Sequence, residues 1–157
     1  MWNTVIQTLQ SEFSDIPDVE QLTRIVLRLS LAAALGGALG FERERQGKSA
    51  GVRTHMLVAL GAAIFVLVPD LAGVPGGEIA RVIQGVIVGV GFLGAGSIIK
   101  GSAAQSVQGL TTAAGIWLTA AIGIACGFGR EGTAVLSALL ALVILALVPH
   151  LSPVRDK

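Results

Sequence analysis

The residues best able to do chemistry in this chain crowd into one short stretch. Glu42, Arg43, Glu44 and Arg45 follow each other directly, and Lys48, Arg53, Thr54 and His55 come within ten residues of them. Alternating carboxylates and guanidinium groups at the end of an apolar run have two uses. They can link a carboxylate, Glu42 first, to an ion, or lock a helix to its loop through a polar network; otherwise they are interfacial charge that anchors the helix. Thr54 is placed to cap a following helix through its hydroxyl. His55 can titrate near neutral pH, which suits either an acid-responsive switch or a hydrogen-bonded interfacial histidine. Arg28 stands apart, inside an apolar run, where it must snorkel or meet a polar partner; Glu20 and Gln84 are the candidates.

The second constellation is glycine. Gly89, Gly91, Gly94 and Gly96 fall within eight residues, and Gly85 precedes them. That density weakens a helix unless close packing or a binding cavity uses it. The same glycines fit two arrangements, a broken helix turning its backbone into a cavity or dense helix packing. Thr111, Thr112 and Trp117 open the next apolar run, where they could line a cavity entrance or bridge helices. Gln84, Gln105, Gln108 and Thr119 are the remaining polar candidates. The pairs Gly36/Gly40, Gly85/Gly89 and Gly123/Gly127 have the spacing of helix-packing motifs, which alone is a weak signal.

These residues need a lipid-embedded scaffold. Of the 157 residues 53% are hydrophobic and 13% charged, with mean hydropathy +0.77; a soluble domain carries roughly 25% charged residues. Aromatics are only 4%, which suits helices that approach backbone to backbone in lipid. The pattern predicts an all-α polytopic membrane protein with five transmembrane helices. They run from about 18 to 41, 54 to 69, 79 or 80 to 99, 110 to 128 and 133 to 149, the third kinked or broken at its glycines. Residues 1–17, with Trp2, Val5, Ile6, Leu9 and Phe13 at helical spacing, read as an extracytoplasmic or interfacial segment. Residues 18–149 form the transmembrane domain, and 150–157 a short cytoplasmic tail. Asp18 with Gln21 resembles a capping box, and Pro17 marks the boundary before it. Residues 100–109 read as an interfacial, re-entrant or plain loop segment.

Lys and Arg gather at 43–53, at Lys100 and at Arg155 and Lys157, which places the N-terminus outside and the C-terminus in the cytoplasm. A net charge of +1, without a basic cluster interleaved with aromatics, argues against nucleic-acid binding. No nucleophile–base pattern, nucleotide loop or zinc ligand set points to an enzyme or a resident cofactor, and His150 has no ligand pattern near it. Cys126, alone in an apolar run, reads as a small buried side chain.

Two long stretches carry a resemblance: LGGALGFERERQGKSAGVRTHMLVALGAAIF at 35–65 and GVGFLGAGSIIKGSAAQSVQGLTTAAGIWLTAAIGIACGFG at 89–129. On these the chain resembles the MgtC/SapB family of bacterial inner-membrane proteins. The resemblance implies five membrane helices, an outside N-terminus and a bacterial inner-membrane location. It also implies a link to magnesium limitation, acid tolerance and survival inside host cells. Longer members carry a cytoplasmic domain after the last helix, so this chain is expected to be the membrane domain alone. The expected function is a non-enzymatic factor in magnesium or ion homeostasis or stress adaptation, acting through membrane-protein contacts. The alternative is a transporter or channel for Mg²⁺ or another cation. Mg²⁺ enters as a candidate substrate or effector. The candidate partners are membrane lipids, a second copy of the chain, and a membrane protein such as the ATP synthase.

Overall fold

The computed structural model describes residues 1–12, 14, 18–100 and 107–151. Phe13, Pro17, Gln105 and the tail residues Arg155 and Lys157, all named above, lie outside these described residues. The order is α1 (Trp2–Glu12), α2 (Val19–Arg45), α3 (Val52–Leu71), α4 (Gly76–Gly96), β1 (Ile99–Lys100), β2 (Val107–Gln108), α5 (Leu110–Gly127) and α6 (Glu131–Leu151). The two short strands pair antiparallel, Ile99 opposite Gln108 and Lys100 opposite Val107. The α4–α5 connection therefore carries a small ladder inside a chain otherwise read as all-helical.

The expectation of five membrane helices is corrected to four. Among the described residues α2, α3, α4 and α5 are long and apolar enough to cross a membrane. The described apolar stretch of α6, Glu131–Leu147, is shorter than any of these four. The expected break in the glycine-rich helix is also corrected: α4 is one uninterrupted helix from Gly76 to Gly96. Its glycines keep helical backbone angles, since in lipid an unsatisfied peptide group costs several kcal/mol.

Helix ends follow local chemistry. Asp18 Oδ1 accepts from Gln21 N–H at 2.7 Å and starts α2. Glu20 in its first turn and Arg43 and Arg45 in its last complement the helix dipole. α2 runs to Arg45, four residues beyond the expected end. α3 begins two residues earlier than expected: Gly51 is its N-cap, and the Glu44 carboxylate accepts from Val52 N–H at 2.9 Å. Thr54 is therefore inside the first turn and exposed, not the cap. α3 continues past Pro69 to Leu71, because a proline in the last turn leaves few hydrogen bonds to break.

The core is built from small side chains. Ala32, Ala59, Ala63, Cys126, Ala134 and Ala138 are almost wholly buried, and together with Leu39 and Ile122 they join α2, α3, α5 and α6. The most extensive contact is α2 with α3, followed by α3 with α5, whereas α4 stands at the edge against α5 and α3. Glycine makes the close approach possible. A Cβ on Gly36 would lie 2.6 Å from the His55 carbonyl oxygen, and one on Gly123 would overlap the Ala59 carbonyl.

Candidate functional site

The inward face of α2 carries Ala32, Gly36, Leu39, Gly40 and Arg43, the three-to-four spacing of one helical stripe. Arg28 extends that stripe toward the helix start. The two arginines anchor polar nodes at opposite ends of the bundle.

The first node surrounds Arg43, which is 2% exposed. Its Nη1 donates to Gln46 Oε1 at 3.0 Å. Gln46 Nε2 donates in turn to Glu42 Oε1 at 2.7 Å and to the Leu145 carbonyl at 3.1 Å, tying α2 to α6. Glu42 also meets Arg45 Nη2 at 3.6 Å. Arg43 Nε and Nη2 have no hydrogen-bond partner among the described residues. His55, 1% exposed, lies 3.0 Å through Nδ1 from the Gly51 carbonyl. A carbonyl only accepts, so Nδ1 carries the proton in that bond. Nε2 then faces Gly115 of α5, 3.6 Å from where a Cβ would stand, and it too lacks a partner among the described residues. Arg43 lies within electrostatic reach of this ring. The node thus holds a buried guanidinium and imidazole with unused hydrogen-bonding capacity, and the largely buried Glu42 carboxylate joins it through Gln46.

The second node surrounds Arg28. Its Nη1 donates to the Gly127 carbonyl at 3.0 Å, at the negative end of α5. The guanidinium also lies 3.6 Å from Asp70 Oδ2 and 3.8 Å from Glu131 Oε1. One side chain therefore joins α2 to the ends of α3 and α5 and the start of α6. Gly129 has φ +69°, and a Cβ there would collide with Arg28 Nη2; conformation and space both call for glycine. Glu20 instead holds Arg24 at 2.8 Å, and Gln84 is exposed on α4. Replacing Arg28 by Gln is expected to lower stability by ~1–2 kcal/mol, because the two carboxylates it meets keep partial access to water. Denaturation of the purified protein in detergent measures this.

The other candidate residues are dispersed. Lys48, Arg53, Thr54 and Thr111 are exposed and Thr112 is buried, and Trp117 is half-exposed. Glu44 serves α3 rather than the Arg43 node. Only Gly94 of the α4 glycines packs closely, against Ala113 of α5; Cβ atoms on Gly85, Gly89, Gly91 and Gly96 would meet nothing. Between α3 and α4 lies a cavity of about 620 Å³ lined by apolar side chains and glycines, among them Leu57, Gly61, Phe65, Val82, Gly89 and Leu93. Among the described residues no group of three or more His, Cys, Asp or Glu side chains is placed to hold a metal ion. Sequence reasoning missed Gln46, Asp70 and Glu131. The available signals were Gln46 lying one turn after Glu42, and two acids at helix ends on the membrane level of Arg28.

The MgtC family model matches residues 29–153. The chain is 40% identical over 134 residues to "Putative magnesium transporter YhiD" of Escherichia coli (strain K12), covering 81% of this chain and 61% of that protein. It is 47% identical over 118 residues to Protein SrpB of Synechococcus elongatus, covering 67% of this chain and 65% of that protein. It is 40% identical over 128 residues to Protein MgtC of Brucella abortus (strain 2308), covering 82% of this chain and 52% of that protein. The chain thus spans between about half and two-thirds of the length of these relatives. No solved structure matches it. The match over residues 29–153, most of the chain, places this chain in the MgtC family.

Proposed function

We propose that this chain is a non-enzymatic membrane factor in magnesium or ion homeostasis, or in the wider stress adaptation tied to it, acting through contacts with another membrane protein or a second copy of itself. Its location is the bacterial inner membrane. The α2–α3 turn, with Lys48 and Arg53, faces the cytoplasm by the distribution of basic residues, which puts α1 outside.

The observation that carries this reading is the sign of the buried charge. Among the described acidic and basic side chains Arg43 and His55 are driven deepest into the bundle, 2% and 1% exposed, whereas Arg28 and Glu42 each keep 13% of their side-chain surface. A path for Mg²⁺ needs oxygen ligands and room for the ion's water shell, and a guanidinium in the packed interior repels such an ion. The outer face of α4 supports contact with a partner: Val88 and Phe92 are 74% and 82% exposed, and open Gly91 lies beside them. Such small-residue faces let helices approach closely in lipid. Partner identity, including the ATP synthase, belongs to this proposal.

A second reading, transport of Mg²⁺ or another cation, is favoured by the printed name of the Escherichia coli K12 relative. In it, Glu42 would stand nearest the path. Reconstitution into proteoliposomes separates the two. The expected result is Mg²⁺ entry at the level of empty vesicles, together with failure of a Phe92→Ala/Gly91→Leu double variant to support growth at low Mg²⁺. Saturable flux that falls in Glu42→Gln would reverse the order of the readings.

A further inference from the structure

We propose that the cavity between α3 and α4 is a binding site for one anionic phospholipid, its acyl chain in the groove and its phosphate on Arg53 and Thr54. This rests on the placement of α3 and α4 in a membrane and not on the functional reading above.

Three observations converge. The groove is lined only by apolar side chains and glycines, so inside a bilayer its natural occupant is hydrocarbon. Its length fits a single acyl chain. From Val82 to Leu93 on α4 the rise is ~16 Å, close to the ~15 Å of half a hydrocarbon core. The third observation is charge, and it separates the two ends. One turn before Leu57 and Val58 stand Arg53 and Thr54, both exposed. Arg53 and nearby Lys48 make no ion pair among the described residues. Both lie at the N-terminal end of α3, where the helix dipole adds positive potential. At the far end, on α4, Arg81 is neutralised by Glu78 at 2.8 Å. A headgroup therefore finds an unpaired cation at one mouth only. Basic pockets between membrane helices are the usual seats of anionic headgroups.

The space is real rather than a packing defect. Gly61 on α3 and Gly85 and Gly89 on α4 would each accept a Cβ without contact, in contrast to the glycines of the α2–α3–α5 core. Filling the groove from inside should therefore leave the fold intact. A second copy of this chain is the competing occupant, but a self-docked helix would leave Arg53 without an acceptor.

The test is retention of lipid by the purified full chain. The protein is exchanged into nanodiscs or detergent with phosphatidylglycerol and phosphatidylcholine of the same acyl length, and bound lipid is counted by native mass spectrometry. The wild type is expected to keep one phosphatidylglycerol in preference to phosphatidylcholine. Arg53→Gln should reduce that preference about fivefold, the worth of one basic residue near an anionic group. Gly89→Leu should lose both lipids while eluting as the wild type does. Arg45→Gln, at the same membrane level but paired with Glu42, should leave the preference unchanged. Equal retention of the two lipids by the wild type, or an unaltered preference in Arg53→Gln, overturns the proposal. So does a lipid-independent dimer abolished by Gly89→Leu, which assigns the groove to a second copy. If Arg53→Gln loses the lipid preference yet supports growth at low Mg²⁺, the lipid site stands apart from the functional reading.

Discussion

Gly123→Leu is expected to leave no folded protein, whereas Gly91→Leu leaves the melting curve unchanged. The two glycines lie in helices of similar composition, so the contrast isolates packing. A Cβ on Gly123 would overlap the carbonyl of Ala59 and stand 2.9 Å from its Cα. Overpacking against side chains typically costs ~1–3 kcal/mol because they can turn aside; here the obstacle is α3 backbone, so the whole α3–α5 interface must part. Even Gly123→Ala should cost ~3 kcal/mol, the upper end of that range. Gly91 meets nothing, and Gly91→Ala should be neutral or slightly stabilising, since alanine is favoured over glycine by up to ~1 kcal/mol in a helix. Size-exclusion profiles and circular-dichroism melts of the purified variants decide both.

Arg43→Glu should be nearly as damaging, and Arg43→Met mild. The guanidinium is 2% exposed and uses Nη1 alone among its donors. Its removal therefore loses one hydrogen bond and spares the cost of two unsatisfied buried groups. Replacing a buried charge by an apolar side chain of similar volume is often neutral, so Arg43→Met should melt within a few degrees of wild type. A glutamate there would stand beside Glu42 in the same packed site. Uncompensated buried charge costs ~3–5 kcal/mol, and that loss should fall mainly on the junction of α2 with α6 through Gln46. If Arg43→Met folds but no longer supports growth at low Mg²⁺, the residue serves function rather than stability. If it fails to fold, Arg43 is a structural group and the cationic node loses its claim to be a site.

Membrane character, the α2 cap at Asp18 and the glycine-rich interfaces were legible because each depends on local chemistry. Hydropathy, side-chain oxygens near free N–H groups and small residues at four-residue spacing act within one turn or one helix. The number of crossing helices was not legible. α6 reads as apolar as its neighbours, but its described apolar stretch is shorter than those of the four, and α1 adds a helix outside the membrane set. The state of α4 was also hidden. Glycine density is compatible with a break or with exposure, and only the position of neighbouring helices separates these. Glu42 drew attention because carboxylates suggest ion chemistry, yet the residue pulled furthest inside is its neighbour Arg43. One helical step, about 100°, decides which of them faces α3 and α5, and sequence alone does not fix that rotation to better than a residue. Arg28 was legible as a residue needing partners, but Asp70 and Glu131 come from other helix ends.

The two arginines of α2 also set a thickness. Fifteen residues separate Arg28 from Arg43, ~22 Å along the axis. On the lipid side of the same helix the apolar band runs from Leu22 to Phe41, 44% and 63% exposed, ~29 Å and close to an ordinary hydrocarbon core. The helix is therefore matched to the bilayer on its outer surface and about 6 Å shorter between its inner charges. A thinner membrane is met by tilting such a helix, and tilting α2 against its neighbours loads its two cross-helix bonds, Arg28 to the Gly127 carbonyl at one end and Gln46 to the Leu145 carbonyl at the other. Bilayer thickness is thus transmitted directly to the two polar nodes.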